Sequence, residues 1–271
     1  MSTTRTRRTP VILTVVGVIV VAALAAVLGV LFLDDDKDKD SSGDRTGPTR
    51  TTPKAPIRTG LDLAAITAAA QPDGTIRVGR DEAPVTVTVY EDFRCPFCER
   101  FEKNMGPLLA DYAEAGKIKI DYHIASFLDG KLGGNGSVKA ANAARCSVDA
   151  GKFTAYHSVL FGNQPDESTD GYTTARLLEL ADQVPGLRGP AFDACVNTAA
   201  NAQWVADSET AFEKSGVSST PSVAVDGKVV PSGNSAMRSA DNLRELLDQR
   251  LENPGSGKAA LGTQPQAPSA G

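Results

Sequence analysis

The sequence predicts an α/β domain of about 190 residues, preceded by one N-terminal transmembrane helix. Three patterns carry that prediction. Val11 to Leu33 is uncharged throughout, with Thr14 as its one polar interruption. Val85–Tyr90 and Lys117–Ile124 alternate around an amphipathic helix, the pattern of a strand-helix-strand unit whose strands run parallel. Ser137 to Ser215 is helical in character before strand signals return at Ser222. The chain has 271 residues, 41% hydrophobic and 23% charged, with a formal net charge of -5. That balance excludes wholesale disorder and collagen-like structure. Without a clustered basic surface, no nucleic-acid partner is expected.

Residues 1–10 read as a cytoplasmic N-terminus and 11–33 as a membrane anchor. Roughly 20 apolar residues span the hydrocarbon layer as a helix, whereas a cleavable secretory segment has an apolar core of about 7 to 15. Cleavage at Ala23-Leu24-Ala25 would leave Val27–Leu33 as an exposed apolar end. Arg5, Arg7 and Arg8 precede the span and Asp34, Asp35 and Asp36 follow it. Basic flanks stay in the cytoplasm, so everything after residue 34 is expected outside the cell membrane. Residues 34–60 are charged and rich in Ser, Thr and Pro, and bury too little apolar surface to offset ordering, so they read as a disordered linker.

The folded domain is expected at 61–252. Leu61–Ala70 reads as a short helix stopped by Pro72-Asp73-Gly74, and Thr75–Val78 and Val85–Tyr90 as strands. A turn carrying Cys95-Pro96-Phe97-Cys98 leads into a helix reaching about Ala115. Phe101, Met105, Leu108, Leu109 and Tyr112 share one face of it, and Gly106-Pro107 is expected to kink it. Lys117–Ile124 puts Ile118, Ile120, Tyr122 and Ile124 on one side of a strand. The helical stretch is broken at Gly151, at Asn163-Gln164-Pro165 and at Pro185-Gly186. Its last helix is expected to carry Phe192, Cys195, Val196, Ala199, Ala202 and Ala206 on one face. Ser222–Val225 and Lys228–Val230 flank Asp226-Gly227, a two-residue hairpin signal. A helix over about Ala236–Leu251 closes the domain, and 253–271 reads as a flexible tail.

All four cysteines fall on the expected outer side, where disulfides persist. Cys95 and Cys98 form a Cys-x-x-Cys pair where a strand meets a helix. Unpaired N–H groups and the positive dipole end of a helix N-terminus stabilise an anion, so the first sulfur ionises below the free-thiol value of about 8.5. Pro96 suits the first helical turn, where its missing N–H costs nothing. Cys98, one turn on and more buried, can attack a mixed disulfide formed at Cys95. Two bland readings compete. A structural zinc site needs four ligands, and no second pair is present: His123 and His157 are isolated, and Cys146 and Cys195 lie far apart. A plain structural disulfide bridging two residues at a helix start is strained and readily reduced. No metal or other cofactor is expected.

Several stretches together resemble the DsbA-like thiol:disulfide oxidoreductases of the thioredoxin fold, in particular the membrane-anchored forms of Gram-positive and actinobacterial envelopes. They are Ala83-Pro84-Val85, Asp92-Phe93-Arg94-Cys95-Pro96-Phe97-Cys98, the stretch from Tyr156 to Gln164, and Gly216-Val217-Ser218-Ser219-Thr220-Pro221-Ser222. The resemblance covers about Thr75 to Leu251. It implies a thioredoxin-like fold with a helical insertion at about 137–215. It further implies a cis bond before Pro221, with Thr220 and Pro221 facing the active cysteines and binding extended substrate. On the insertion, Cys146 and Cys195 are expected to form a staple contributing roughly 2 to 4 kcal/mol, two buried free thiols being the alternative. The implied activity is oxidation of exported polypeptides with free cysteines by exchange through Cys95 and Cys98. A membrane partner of the DsbB or vitamin K epoxide reductase type would reoxidise the pair. A reductase or isomerase running the same exchange backward, or a non-enzymatic chaperone module, are the alternatives.

The chain departs from the strongest oxidants of that family in its central dipeptide. Pro96 and Phe97 modulate the site, but Phe97 stands where those members carry His, and its ring offers the thiolate neither a hydrogen bond nor a charge. Arg94 either supplies charge instead or is a solvated surface residue. Val89 occupies the position six residues before Cys95 where several relatives place a buried acid. Glu91 or Asp92 either takes over that role or faces water. His123 and His157 are read as structural.

Overall fold

A computed structural model describes residues 66–253. The cytoplasmic N-terminus, the anchor at 11–33, the linker at 34–60 and the tail beyond residue 253 lie outside the described residues. Among the described residues no helix is long and apolar enough to cross a membrane. Strands β1 (Ala68–Ala70), β2 (Ile76–Val78), β3 (Val85–Glu91), β4 (Ile118–Ile124), β5 (Ser222–Val225) and β6 (Lys228–Val229) form one sheet in the spatial order β1-β2-β4-β3-β5-β6. β3 and β4 run parallel, from Val85 opposite Ile118 to Glu91 opposite Ile124, and the other pairs are antiparallel. The strand-helix-strand unit is therefore the centre of the sheet.

The first described segment corrects an expectation. Ala68–Ala70, expected at the end of a helix, is instead an edge strand with Ala70 opposite Ile76. The cause is the Pro72-Asp73-Gly74 turn. Gln71 N–H donates to the Thr75 carbonyl, and the Asp73 carboxylate accepts from both the Thr75 N–H and its hydroxyl. That turn folds the alanines back onto β2. Alanine's helix preference is worth only some tenths of a kcal/mol per residue, which tertiary pairing overrides.

The helix after β3 is divided into α1 (Pro96–Asn104) and α2 (Gly106–Glu114) at Met105, so the expected kink is a full break. A short helix, α3 (Leu128–Leu132), follows β4 and has no counterpart in the sequence reading. Next come α4 (Gly136–Asp149), α5 (Phe153–Gly162), α6 (Thr174–Ala181), α7 (Pro190–Asn197) and α8 (Ala202–Lys214). The single helix expected through Phe192 and Ala206 is thus two. Ala199 takes a positive φ of 49° between them, and the Asn142 side-chain oxygen accepts the Asn201 N–H, anchoring the turn to α4. Phe192 and Val196 are buried from α7 and Val205, Ser208 and Phe212 from α8, whereas Ala199, Ala202 and Ala206 are exposed. At the other end of the domain, Asp226 and Gly227 both adopt left-handed backbone in the β5–β6 turn, as a two-residue hairpin requires. The last helix, α9 (Ala240–Glu252), begins later than expected because Ser239 caps it, accepting the Asn242 N–H; Ser235–Met237 is a separate 3-10 turn.

Helices cover both faces of β4. On one side Tyr122 packs against Phe153 and His157 of α5, with ring centroids 5.7 and 4.6 Å away. On the other, His123 lies between Tyr90 and Phe212 of α8, and its Nε2 is 2.8 Å from the Ser208 carbonyl. His123 is structural, as expected, and burial lowers its pKa.

Candidate active site

The active turn begins where β3 leaves the sheet. Asp92 is fully buried and organises it: its carboxylate accepts from Arg94 N–H, from Leu128 N–H and from the Ser137 hydroxyl, while its own carbonyl accepts the Cys95 N–H. Burial pushes the Asp92 carboxyl up to about 7 against the pull of those donors. From the far side of the insertion, the Gln164 amide donates to the carbonyls of Phe93 (2.6 Å) and Cys95 (3.0 Å). Cys95 then caps α1 with extended backbone, and Pro96 takes the first helical position. The Cys98 and Glu99 N–H groups close the first turn on the Cys95 carbonyl.

Both cysteines are free thiols in this structure, with Cys95 5% exposed and Cys98 fully buried. Their electrostatics diverge. The Cys98 thiol's hydrogen bond is the main cause lowering Cys95 to about 6; Thr220 and the N–H groups of Cys98 and Phe97 add to it, and burial opposes them. Cys98 is pushed well up, first by burial, then by the bond it gives to Cys95 and by the charges of Cys95 and Glu91. One sulfur is therefore a nucleophile at neutral pH and its partner is held as a thiol. The Thr220–Pro221 peptide is cis, and as a thiol Cys95 donates to the Thr220 carbonyl at 3.5 Å. Thr220 and Pro221 thus border the reactive sulfur. Phe97 is 59% exposed and carries the Arg100 guanidinium 4.5 Å above its ring, so its contribution to Cys95 is its backbone N–H.

Arg94 is neither of the things expected of it. It is 2% exposed, and its guanidinium pairs with Asp129 (2.7 Å) and donates to the carbonyls of Gly133 and Glu167. Asp129, rather than a thiolate, matches its charge, and it locks the active turn to the loops flanking α3. Cys146 and Cys195 are joined by a disulfide between α4 and α7, 49 residues apart in sequence. The Asn201 amide approaches both of these sulfurs, at 3.4 and 3.2 Å.

Glu91 does not face water. It continues the inward alternation of Val85, Val87 and Val89 and is fully buried. Burial, with Asp92 and Cys95 adding, raises its carboxyl well above the usual range. Its Oε1 lies 2.6 Å from Nε2 of His157, which burial holds toward the neutral form against the charge of Glu102. Burial therefore keeps both members of this pair uncharged, Glu91 as the acid and His157 as the neutral imidazole. His157, read from sequence as a structural residue, is thus the direct partner of the buried acid. Glu91, Glu102 and His157 have atoms within 4.8 Å of one another, the composition of a divalent-cation site. Burial keeps Glu91 in its acid form, which is not the anionic ligand a divalent cation needs, so the cluster is a proton-sharing group.

A profile of the thioredoxin family matches residues 71–249, and the chain belongs to that family. Disulfide bond formation protein D of Bacillus subtilis (strain 168) is 26% identical over 178 residues, covering 65% of this chain and 76% of that protein. Among solved structures, oxidised BdbD from Bacillus subtilis superposes with a TM-score of 0.57 at 25% identity, covering 69% of this chain and 98% of that one. Oxidised DsbA from Mycobacterium tuberculosis gives 0.54 at 26% identity, covering 67% and 98%. Within its family the chain is accordingly a DsbA-like thiol:disulfide oxidoreductase.

Proposed function

We propose that this enzyme works in the oxidising direction, outside the cell membrane, introducing disulfides into exported polypeptides while held by the helix expected at 11–33. A substrate thiolate attacks Cys95 Sγ of the oxidised pair, the Cys95–Cys98 bond breaks, and Cys98 leaves with the bonding electrons. A second substrate thiolate then attacks the substrate sulfur of the mixed disulfide and releases Cys95 as a thiolate. The substrate loses two electrons and the pair gains them. Reoxidation by a membrane partner of the DsbB or vitamin K epoxide reductase type completes the cycle.

The observation that carries the direction is the stabilised Cys95 thiolate, lowered to about 6. Stabilising the reduced form makes the oxidised form a better disulfide donor. The reductase reading is favoured by Phe97, which gives the thiolate no side-chain hydrogen bond. Equilibrating the full-length protein across glutathione ratios and counting thiols by mass spectrometry separates the two. A potential of about -120 to -180 mV supports the donor, and one of about -270 mV makes it a reductase. A membrane-impermeant maleimide added to intact cells should label reduced Cys95; protection until lysis would refute the outward placement.

A further inference from the structure

We propose that His157 and Glu102 form a proton path joining Glu91, beneath the active cysteines, to solvent at a cleft between α2 and α5. The path rests on the exchange activity and not on its net direction. When a substrate thiolate breaks the Cys95–Cys98 bond, the electrons of that bond leave on a sulfur with no exposed surface. Such an anion is costly to bury, so Cys98 must take up a proton from inside the protein. Of the two protons released by a substrate dithiol, one ends on Cys98 and the other stays in solvent, because Cys95 remains a thiolate. One proton per turnover therefore has to reach a buried sulfur.

Glu91 is the buried acid whose charge acts on Cys98, and the path assigns the delivery to it. His157 Nε2–H donates to Glu91 Oε1, so the acid proton lies on Oε2, which has no hydrogen-bond partner and is the oxygen left to serve the sulfur. The carboxylate so formed is recharged from behind. His157 Nδ1 faces Glu102 Oε2 at 4.0 Å, a gap closed by a shift of about 1 Å in the Glu102 side chain. A proton arriving at Nδ1 lets Nε2 pass its own to Glu91. Imidazole carries a proton between two sites without moving, a property no other side chain has near neutral pH.

The outer end of the path is visible. Glu102, Gly106, Ala110, Thr154, His157 and Ser158 line a cleft that opens between the α1–α2 break and α5. Gly106 is the residue that keeps the carboxylate in place: a Cβ there would sit 2.6 Å from Glu102 Oε2. The titratable groups around the path are Asp92, Cys95 and Cys98 toward Glu91, and Glu102 and Tyr122 toward His157; Phe93, Phe153 and Phe161 complete the shell around the imidazole. The route thus has polar groups at both ends and an aromatic shell around the imidazole between them.

His157 and Glu102 are positioning and relay residues acting through Glu91, so the test reads proton transfer itself. The oxidised full-length protein is mixed with reduced glutathione between pH 5 and 9, in water and in deuterium oxide, and formation of the mixed disulfide is timed. His157→Gln, which keeps a hydrogen bond to Glu91 but cannot relay a proton, should slow the step by about tenfold or more and flatten its pH profile. Gly106→Ala, which displaces the Glu102 carboxylate and leaves His157 and Glu91 intact, should slow it by about threefold. The solvent isotope effect of the wild type should change in both, with the Cys95 titration midpoint unmoved. Unchanged rates and isotope effects in both variants overturn the path. So does slowing that comes with an equal shift of the Cys95 midpoint, which marks a packing defect. If His157→Gln does not fold, Gly106→Ala decides alone. A wild type that forms no mixed disulfide refutes the exchange activity, a separate outcome.

Discussion

The two cysteine pairs of this domain use the same element in opposite ways. Cys95 and Cys98 sit three apart at a helix start, where N–H groups and a neighbouring thiol stabilise an anion on one sulfur and burial forbids it on the other. Cys146 and Cys195 come from two separate helices and close a loop of 49 residues, with no role for a thiolate. Proximity in sequence makes the first pair easy to open and re-form, while distance makes the second a restraint on the unfolded chain. What separates catalyst from staple is therefore the local field and the loop length, not the sulfur.

The largest effect that would break this contrast is at the first pair. Cys95→Ser should abolish oxidation of a dithiol peptide, and Cys98→Ser should accumulate covalent adducts with substrates, read on non-reducing gels. Replacing both staple cysteines, Cys146→Ser with Cys195→Ser, should leave exchange intact. It should cost about 2 to 4 kcal/mol of stability by the loop-closure argument, several degrees in Tm by thermal unfolding. A staple variant that lost exchange would mean that the insertion, and not the active turn alone, sets the reactivity.

The pH dependence sharpens the contrast further. Absorbance of the Cys95 thiolate should titrate with a midpoint of about 6. The sign follows from linkage: a folded value below the free-thiol value of about 8.5 stabilises the folded reduced protein above that range, and the gain is lost as pH falls through the folded value. The stability difference between reduced and oxidised protein should therefore narrow between pH 8.5 and pH 6, to about the same extent with or without the staple. A smaller effect is expected from Phe97→His. An added hydrogen bond to the thiolate should make the pair more oxidising, by about 30 mV for each 1.4 kcal/mol it contributes, measured against glutathione.

Much of this was legible in the sequence, and the failures have local causes. The central strands announced themselves by alternation, and the active pair by a proline and two cysteines at a strand end. The alternation of Val85, Val87 and Val89 also points to Glu91 as an inward residue, since a strand's period of two extends to its last position. His157 carried no such signal: its role depends on α5 lying against the end of β3, a contact between residues 66 positions apart. Arg94 could be read only as a charge for the thiolate or as a solvated surface residue, because its partners, Asp129 and the carbonyls of Gly133 and Glu167, belong to loops whose placement no period encodes. The split between α7 and α8 was hidden because alanines fit a helical face whether or not one residue among them turns left-handed.

Gln164 has a consequence for how such an enzyme can be rebuilt. Its single amide holds the carbonyls of Phe93 and Cys95, so a residue of the insertion props up the reacting turn of the sheet domain. A chimera that grafts this turn onto a bare scaffold would strand the Phe93 carbonyl, take one of three donors from that of Cys95, and let the first sulfur drift from its donors. The unit that can be transplanted whole is the turn together with the helices that carry Gln164, and a swap respecting that boundary should keep its chemistry where one cut at the cysteines would not.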